Sequence, residues 1–191
     1  DFLEREGAHA LVDPLSMWVT FLLESNRAPM VYKRGLDVPR TGPVLRRWRA
    51  KLADDVAFTR KRLLMDLGGR IYRGRYDRLR RALGNVPHAL VDQGVLSRLA
   101  APFYNPLARS GEGHTEVAKN IYYSTRPGAH MVLSLKPFGC MPSTQSDGAQ
   151  SAVVARFKDM LYLPIETAAE GELNAHSRVQ MALVEARARA E

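Results

Sequence analysis

From Glu112 onward, segments with helical and strand-like patterns alternate along the chain, with short connections between them. Helices are predicted from Glu112 to Thr125, from an Asp147 cap to about Phe157 and from an Asn174 cap to the C-terminus, and apolar strands at Ala129–Leu135 and Leu161–Ile165. Strands that are separated by helices pair in parallel, and such a sheet needs helices on its faces. The alternation therefore predicts an α/β fold with a small parallel sheet and covering helices.

The start of the chain is expected to add one strand to this sheet. Ala8–Pro14 has the pattern of a short buried strand that a proline ends, so we predict at least three parallel strands. Asp1–Glu6 has the pattern of the end of a helix. Trp18–Ser25 predicts another helix, after which the chain is expected to be irregular as far as Gly35.

The segment from Arg40 to Leu83 has a helical pattern and many arginines. Its apolar residues recur at the spacing of an amphipathic helix, and they are Leu45, Trp48, Leu52, Val56, Leu63 and Leu67. Gly68-Gly69 is predicted to separate this helix from a second one that carries Tyr72 and Tyr76, and Pro87–Ala101 suggests a third. We interpret 38–104 as an Arg-rich helical insertion or subdomain, and 1–37 with 105–191 as the α/β module.

The positive charge of the chain is concentrated in this segment. Arg40 to Ala82 holds 14 Lys or Arg and 4 Asp or Glu, a balance of +10, whereas the rest holds 14 and 16, a balance of −2. The field could hold an acidic neighbouring domain, the phosphates of coenzyme A, or nucleic acid. Tyr72 and Tyr76 could stack on bases, but their spacing also fits a helix core. Because no named nucleic-acid motif is present, nucleic acid is the least favoured of these partners.

The cysteine content of the chain indicates a cellular compartment, and its first residues indicate whether it is part of a longer polypeptide. A single cysteine excludes an internal disulfide framework and fits a reducing cytoplasm. The chain starts at Asp1 without an initiator methionine or a signal-peptide pattern, so we interpret it as a piece of a longer polypeptide, although a trimmed mature protein would look the same. No stretch approaches the roughly 18 apolar residues of a membrane helix, so no membrane span is expected.

The one cysteine lies in a Gly/Pro/Ser-rich loop that is predicted over Lys136–Ser146. Cys140 thus follows a buried strand, and ligands bind beyond the carboxyl ends of parallel strands. Pro137 and Pro142 stiffen the loop, and Gly139 permits close backbone approach. The next helix could stabilise a thiolate through its positive N-terminus. A metal-ligating or reactive cysteine fits this position, but so does a small buried apolar residue.

Several polar residues are placed on the same side of the predicted sheet. The loop residues Ser143–Ser146 could contact a ligand or simply cap the next helix. Glu166, Glu170 and Glu172 follow the last strand, where carboxylates could transfer protons or form a solvated loop. Among the histidines only His114, at a loop-to-helix junction, is placed to face a ligand. No His-x-x-x-His pair or Gly-x-Ser-x-Gly elbow is present.

Beyond these patterns, Lys136-Pro137-Phe138-Gly139-Cys140-Met141-Pro142-Ser143 resembles the cysteine loop of the 2-hydroxyacyl-CoA dehydratase-like and activase-related proteins. The resemblance covers about Asn105–Ala190, and its other motifs are Asn105-Pro106, Gly111-Glu112-Gly113-His114, Leu163-Pro164-Ile165-Glu166-Thr167, Asn174 and Ser177-Arg178-Val179-Gln180. The basic helical segment resembles nothing in that family.

The resemblance implies that Cys140 is a thiolate ligand of a [4Fe–4S] cluster, with Pro137, Phe138, Gly139, Pro142 and Ser143 shaping its loop or touching a ligand. In that family, ATP hydrolysis by an activator module drives an electron through such clusters toward a CoA thioester. A cluster needs several thiolates, so the others are expected from the remainder of a larger polypeptide or a partner. The chain has no phosphate-binding Gly-x-x-x-x-Gly-Lys-Ser/Thr loop, so the ATPase role belongs elsewhere.

Two other functions stay open from the sequence. The chain could be a non-catalytic interaction module whose Arg-rich helices bind an acidic protein or nucleic acid. An enzyme with Cys140 as a nucleophile is also conceivable, although the sequence shows no base paired with the cysteine.

Overall fold

The computed structural model describes residues 2–105, 107–108, 111–167 and 172–190, with only the backbone of Glu172. The elements are α1 (Phe2–Arg5), α2 (Leu15–Ser25), α3 (Arg27–Lys33), α4 (Val44–Ala82), α5 (Gln93–Ala100), α6 (Gly113–Ser124), β1 (Val132–Pro137), α7 (Met141–Arg156), β2 (Tyr162–Thr167) and α8 (Glu172–Ala190). The chain divides into two compact units, Asp13–Gln93 and Asp1–Val12 with Gly94–Glu191. None of the described helices is long and apolar enough to cross a membrane.

The unit that includes the C-terminus is built on the parallel pair β1 and β2. Their register places Val132 opposite Tyr162 and Pro137 opposite Thr167. Helix α8 packs against β2, and α6 packs against both β1 and α7. The predicted mixed α/β fold with a small parallel sheet and covering helices is therefore confirmed.

Two apolar clusters hold this unit together. Ile165 of β2 is buried against Val179 and Leu183 of α8, and the apolar residues packed around them include Phe2 and Leu133. On the side of α6, buried side chains come from three helices, and they are Leu96, Ala100, Val117, Ala118, Ile121 and Val153. Burial of such side chains stabilises the fold by about 1.5–3 kcal/mol for each large residue.

The strand predicted at Ala8–Pro14 is wrong. The described residues of this stretch carry no strand assignment, and His9 to Val12 are exposed. The sheet of the described chain has two strands, β1 and β2. An apolar pattern of strand length needs a neighbouring strand to pair with, and this stretch has none.

In the other unit, α2 packs against α3 and α4. Its most buried side chains are Met17 and Thr20 of α2 and Gln93. The Gln93 side-chain amide donates a hydrogen bond to the Thr20 hydroxyl over 2.9 Å. Arg34 at the end of α3 pairs with Asp55 of α4 over 2.7 Å and so joins these two helices.

Helix α4 is continuous over 39 residues, so the break predicted at Gly68-Gly69 is wrong. A glycine inside a helix is about 1 kcal/mol less favourable than alanine. A helix as long as α4 tolerates this cost at two adjacent positions. The stretch that was expected to be irregular before Gly35 is also helical, as α3. The third helix predicted within Pro87–Ala101 is α5.

Candidate functional site

Cys140 lies between β1 and α7, at the carboxyl end of the parallel pair. Strand β1 ends at Pro137, and α7 begins at Met141, directly after the cysteine. Cys140 is therefore the N-cap residue of α7, with extended backbone angles, and its thiol is half-buried and free. Gly139 adopts a left-handed φ of 69°, which glycine accepts without strain.

The long loop predicted over Lys136–Ser146 is wrong, as is the helix cap at Asp147. The loop consists of three residues, and Asp147 lies inside α7. Pro142 explains the difference, because proline is tolerated in the first turn of a helix and here occupies one of its first two positions. The composition of the segment suggests a loop, whereas its first-turn proline starts a helix.

Two hydrogen bonds tie the cysteine loop to the end of β2. The Phe138 N–H donates to the Thr167 carbonyl over 3.3 Å, and the Thr167 hydroxyl donates to the Lys136 carbonyl over 3.1 Å. The Cys140 N–H donates to the Pro137 carbonyl over 3.2 Å, which closes the turn. The cysteine is thus held on a short, well-connected segment.

The positive end of α7 adjoins the thiol. The N-cap of α7 has no side-chain hydrogen bond. The Cys140 carbonyl accepts the Thr144 N–H over 2.9 Å and the Thr144 hydroxyl over 3.0 Å. The first N–H groups of a helix have no intrahelical acceptor and carry partial positive charge, which favours a negative group at this end.

Exposed apolar side chains lie close to Cys140 in the sequence. Phe138 is 75% exposed and Met141 is 70% exposed, and Leu135 near the end of β1 is 65% exposed. Exposed apolar residues that cluster beside a potential ligand are typical of a surface that another protein or a ligand covers.

The serines after the cysteine face inward. Ser143 and Ser146 are both buried, and both hydroxyls donate to the carboxylate of Glu116 on α6, that of Ser143 over 2.9 Å. Farther along the same two helices, the Asn120 side-chain amide donates to Gln150 over 2.7 Å. These two serines therefore join α6 to α7.

Lys136 is a second polar residue that faces inward. Its side chain is 2% exposed and pairs with Asp147 of α7. Burial by itself lowers the pKa of Lys136, but the hydrogen bond to Asp147 and the neighbouring negative charges raise it overall. The raised pKa keeps Lys136 in its charged form, at the end of β1 just before the loop that contains Cys140.

His114 lies in the first turn of α6, half-buried, with its ring edge-on to Tyr104 at 6.0 Å between centroids. Its Nε2 is buried and has no hydrogen-bond partner among the described residues. Burial lowers the pKa of His114 from its usual value of 6.5. A neutral imidazole is therefore favoured here.

The acidic residues that were predicted to follow the last strand do not all do so. Glu166 is exposed in β2, directly opposite Lys136 in the strand register. Glu170, the side chain of Glu172 and Pro106 lie outside the described residues. The sequence predicted that Asn174 caps the N-terminus of the last helix. This prediction is wrong, because α8 begins at Glu172 and Asn174 lies inside it.

The residues present supply one ligand for a cluster. The chain has a single cysteine, and among the described residues no group of three or more His, Cys, Asp or Glu could hold a metal ion. The 191 residues therefore do not form a four-thiolate cluster site by themselves.

A comparison with protein-family models, curated proteins and solved structures finds no match.

Sequence reasoning missed the polar contacts that fix this site. Glu116, Asn120 and Ser124 are spaced four apart on α6, and Ser143, Ser146 and Gln150 are spaced three and four apart on α7. Such spacing places each set on one helix face. Two matching polar rows on neighbouring helices were the signal that could have predicted the contact.

Proposed function

We propose that this chain is a module of an activase-related, 2-hydroxyacyl-CoA dehydratase-like protein, in which Cys140 provides one thiolate ligand of a [4Fe–4S] cluster. The position of Cys140 carries the proposal. It is a free, half-buried thiol at the N-terminus of α7, where helix polarity favours a negatively charged sulfur. The resemblance of the cysteine loop to that family supports the same role.

The remaining ligands of the cluster come from outside these residues. The exposed Phe138 and Met141 beside Cys140 support this, because they offer an apolar surface for another module to cover. The partners in this proposal are the rest of a larger polypeptide with its ATPase activator module and an acyl-CoA substrate, in the reducing cytoplasm. Such a cluster, when bound, would carry single electrons toward the thioester.

The chain's own residues then act on the thiolate. Pro137 and Gly139 set the three-residue turn that carries the sulfur, and Pro142 lies in the first turn of α7, two residues after the cysteine. The inward contacts of Glu116 with Ser143 and Ser146 fix the first turn of α7 and thus the position of the sulfur.

Anaerobic reconstitution of the complete polypeptide tests the proposal. Iron and sulfide would be measured for the wild type, Cys140→Ser and Cys140→Ala. The matched control is Met181→Ser, which removes the sulfur of an exposed methionine on α8 without removing a thiol. We expect both Cys140 variants to lose iron and sulfide and the Met181 variant to retain them; equal cluster content in all four proteins would contradict the ligand role.

A further inference from the structure

A row of exposed apolar side chains follows one face of α4. This row, the apolar stripe, consists of Leu45, Trp48, Leu52, Val56, Leu63 and Leu67. These side chains are 49 to 63% exposed. Their spacings of 3, 4, 4, 7 and 4 residues keep them on a single face of a helix with 3.6 residues per turn. The stripe extends over about 33 Å at 1.5 Å per residue.

The stripe is not the face that α4 uses within its own unit. The half-buried positions of α4 include Phe58, Met65, Gly69 and Tyr72, and at 100° per residue they fall largely opposite the stripe. Tyr76 continues this packed face, and its hydroxyl donates to the His88 carbonyl over 2.6 Å. The amphipathic pattern read from the sequence therefore describes an outward face.

Three of the four acidic residues of α4 make contacts within its own unit, and the fourth, Asp77, is exposed beyond the end of the stripe. Asp54 accepts the Gly35 N–H over 3.0 Å, Asp55 pairs with Arg34, and Asp66 pairs with Arg27. Exposed cations lie within or beside the stripe, and they are Arg46, Arg49, Arg60 and Arg70. The outward face thus combines an apolar row with positive charge.

These features favour one kind of occupant. A second copy of α4 would bring together two helices that each carry 13 Lys or Arg against 4 Asp, and like charges beside a seam are destabilising. A bilayer needs a broad apolar face without charges. The apolar face here, which exposed Leu64 and Ile71 widen, is interrupted by the exposed Arg49, Arg60 and Arg70. Nucleic acid would leave the apolar row unburied. We propose that the stripe binds an amphipathic α-helix of a partner protein, with an apolar seam flanked by Asp and Glu.

The proposal is independent of the role of Cys140, and it is tested with a defined probe. A synthetic helical peptide of about 28 residues, with leucines at the seam and glutamates beside it, is labelled and titrated with the complete polypeptide. A second peptide has lysines in place of the glutamates. We expect the glutamate peptide to bind at least about tenfold more tightly than the lysine peptide, with affinity falling as salt rises.

Two variants with equal numbers of exposed leucines locate the contact. Leu63→Gln with Leu67→Gln alters the stripe, and Leu79→Gln with Leu83→Gln alters leucines outside it that are 65 and 63% exposed. Since a buried leucine contributes strongly to association, the stripe variant should bind the glutamate peptide about tenfold or more weakly. The other variant should stay within about twofold of the wild type.

Several results would overturn the proposal. The first is that the glutamate peptide does not bind at low salt, and the second is that the two pairs of leucine substitutions weaken its binding equally. The third is that the peptide binds the 191-residue chain but not the complete polypeptide, which would mean that an internal helix covers the stripe. Stripe-dependent binding to anionic vesicles or to single-stranded RNA in place of the peptide, or stripe-dependent dimerisation in light scattering, would assign the stripe to another class of partner.

Discussion

At the scale of single residues, the region around Cys140 is organised by charged and polar side chains that face inward. Glu116 accepts hydrogen bonds from two buried serines, and Lys136 is buried against Asp147. Removing one member of such a set leaves a buried partner unsatisfied, which typically costs about 1–3 kcal/mol. The turn that carries Cys140 is thus supported by polar contacts of β1, α6 and α7.

His114 gives a pH-dependent prediction at this scale. Because burial lowers its pKa below 6.5, the unfolded chain binds more protons than the folded one as the pH falls below that value, and the folded state loses stability. His114→Phe keeps an aromatic ring beside Tyr104 and cannot be protonated. Urea unfolding at pH 7.5 and pH 5.5 should therefore show a smaller loss of stability for His114→Phe than for the wild type.

The control for this pH effect is His9→Gln, since His9 is exposed. Its stability should depend on pH as the wild type's does. If the loss of stability at pH 5.5 is as large in His114→Phe as in the wild type, burial of this imidazole is not the source of the loss.

At the scale of elements, the contact between α6 and α7 depends on a glycine. A Cβ at Gly113 would lie 2.8 Å from the Pro142 carbonyl oxygen and 2.8 Å from the Tyr104 hydroxyl. Neither distance leaves room for a methyl group, and the Pro142 atom belongs to the backbone of the first turn of α7. Gly113 thus permits the close approach of α6 to the segment that carries Cys140.

Gly113→Ala should accordingly destabilise the fold by about 1–3 kcal/mol, the usual cost of overpacking. Gly148→Ala is the matched control in α7, because a Cβ there has no atom within 4 Å. It should raise stability by about 0.5–1 kcal/mol through the better helix propensity of alanine. Denaturant unfolding of both variants checks this, and destabilisation of equal size at the two positions would refute the close packing at Gly113.

The elements also show how far the sequence could predict the fold. The alternation after Glu112 predicted β1, β2, α6 and α8, because each carries its own local pattern. The local pattern gave wrong predictions where the structure depends on residues distant in the sequence. Ala8–Val12 does not pair with a strand, and α4 continues through Gly68-Gly69. The polar contacts behind Cys140 were not predicted because they join residues about 30 positions apart.

At the scale of the whole molecule, the two proposed functions reside in different units. Cys140 belongs to the unit built on the parallel strands, and the apolar stripe of α4 belongs to the helical unit. In each proposal, a thiol or a set of arginines lies near exposed apolar side chains, and a component from outside these residues completes the site. The chain is thus interpreted as a module whose function depends on assembly with other parts.

The most direct test of the central claim is to replace Cys140 by selenocysteine in the complete polypeptide and record selenium K-edge EXAFS after anaerobic cluster reconstitution. Selenium replaces the sulfur atom for atom and reports only on the atoms bonded to residue 140. The account predicts an iron atom in the first coordination shell of selenium. A shell that contains carbon alone, in a protein that holds its full iron and sulfide, would contradict it.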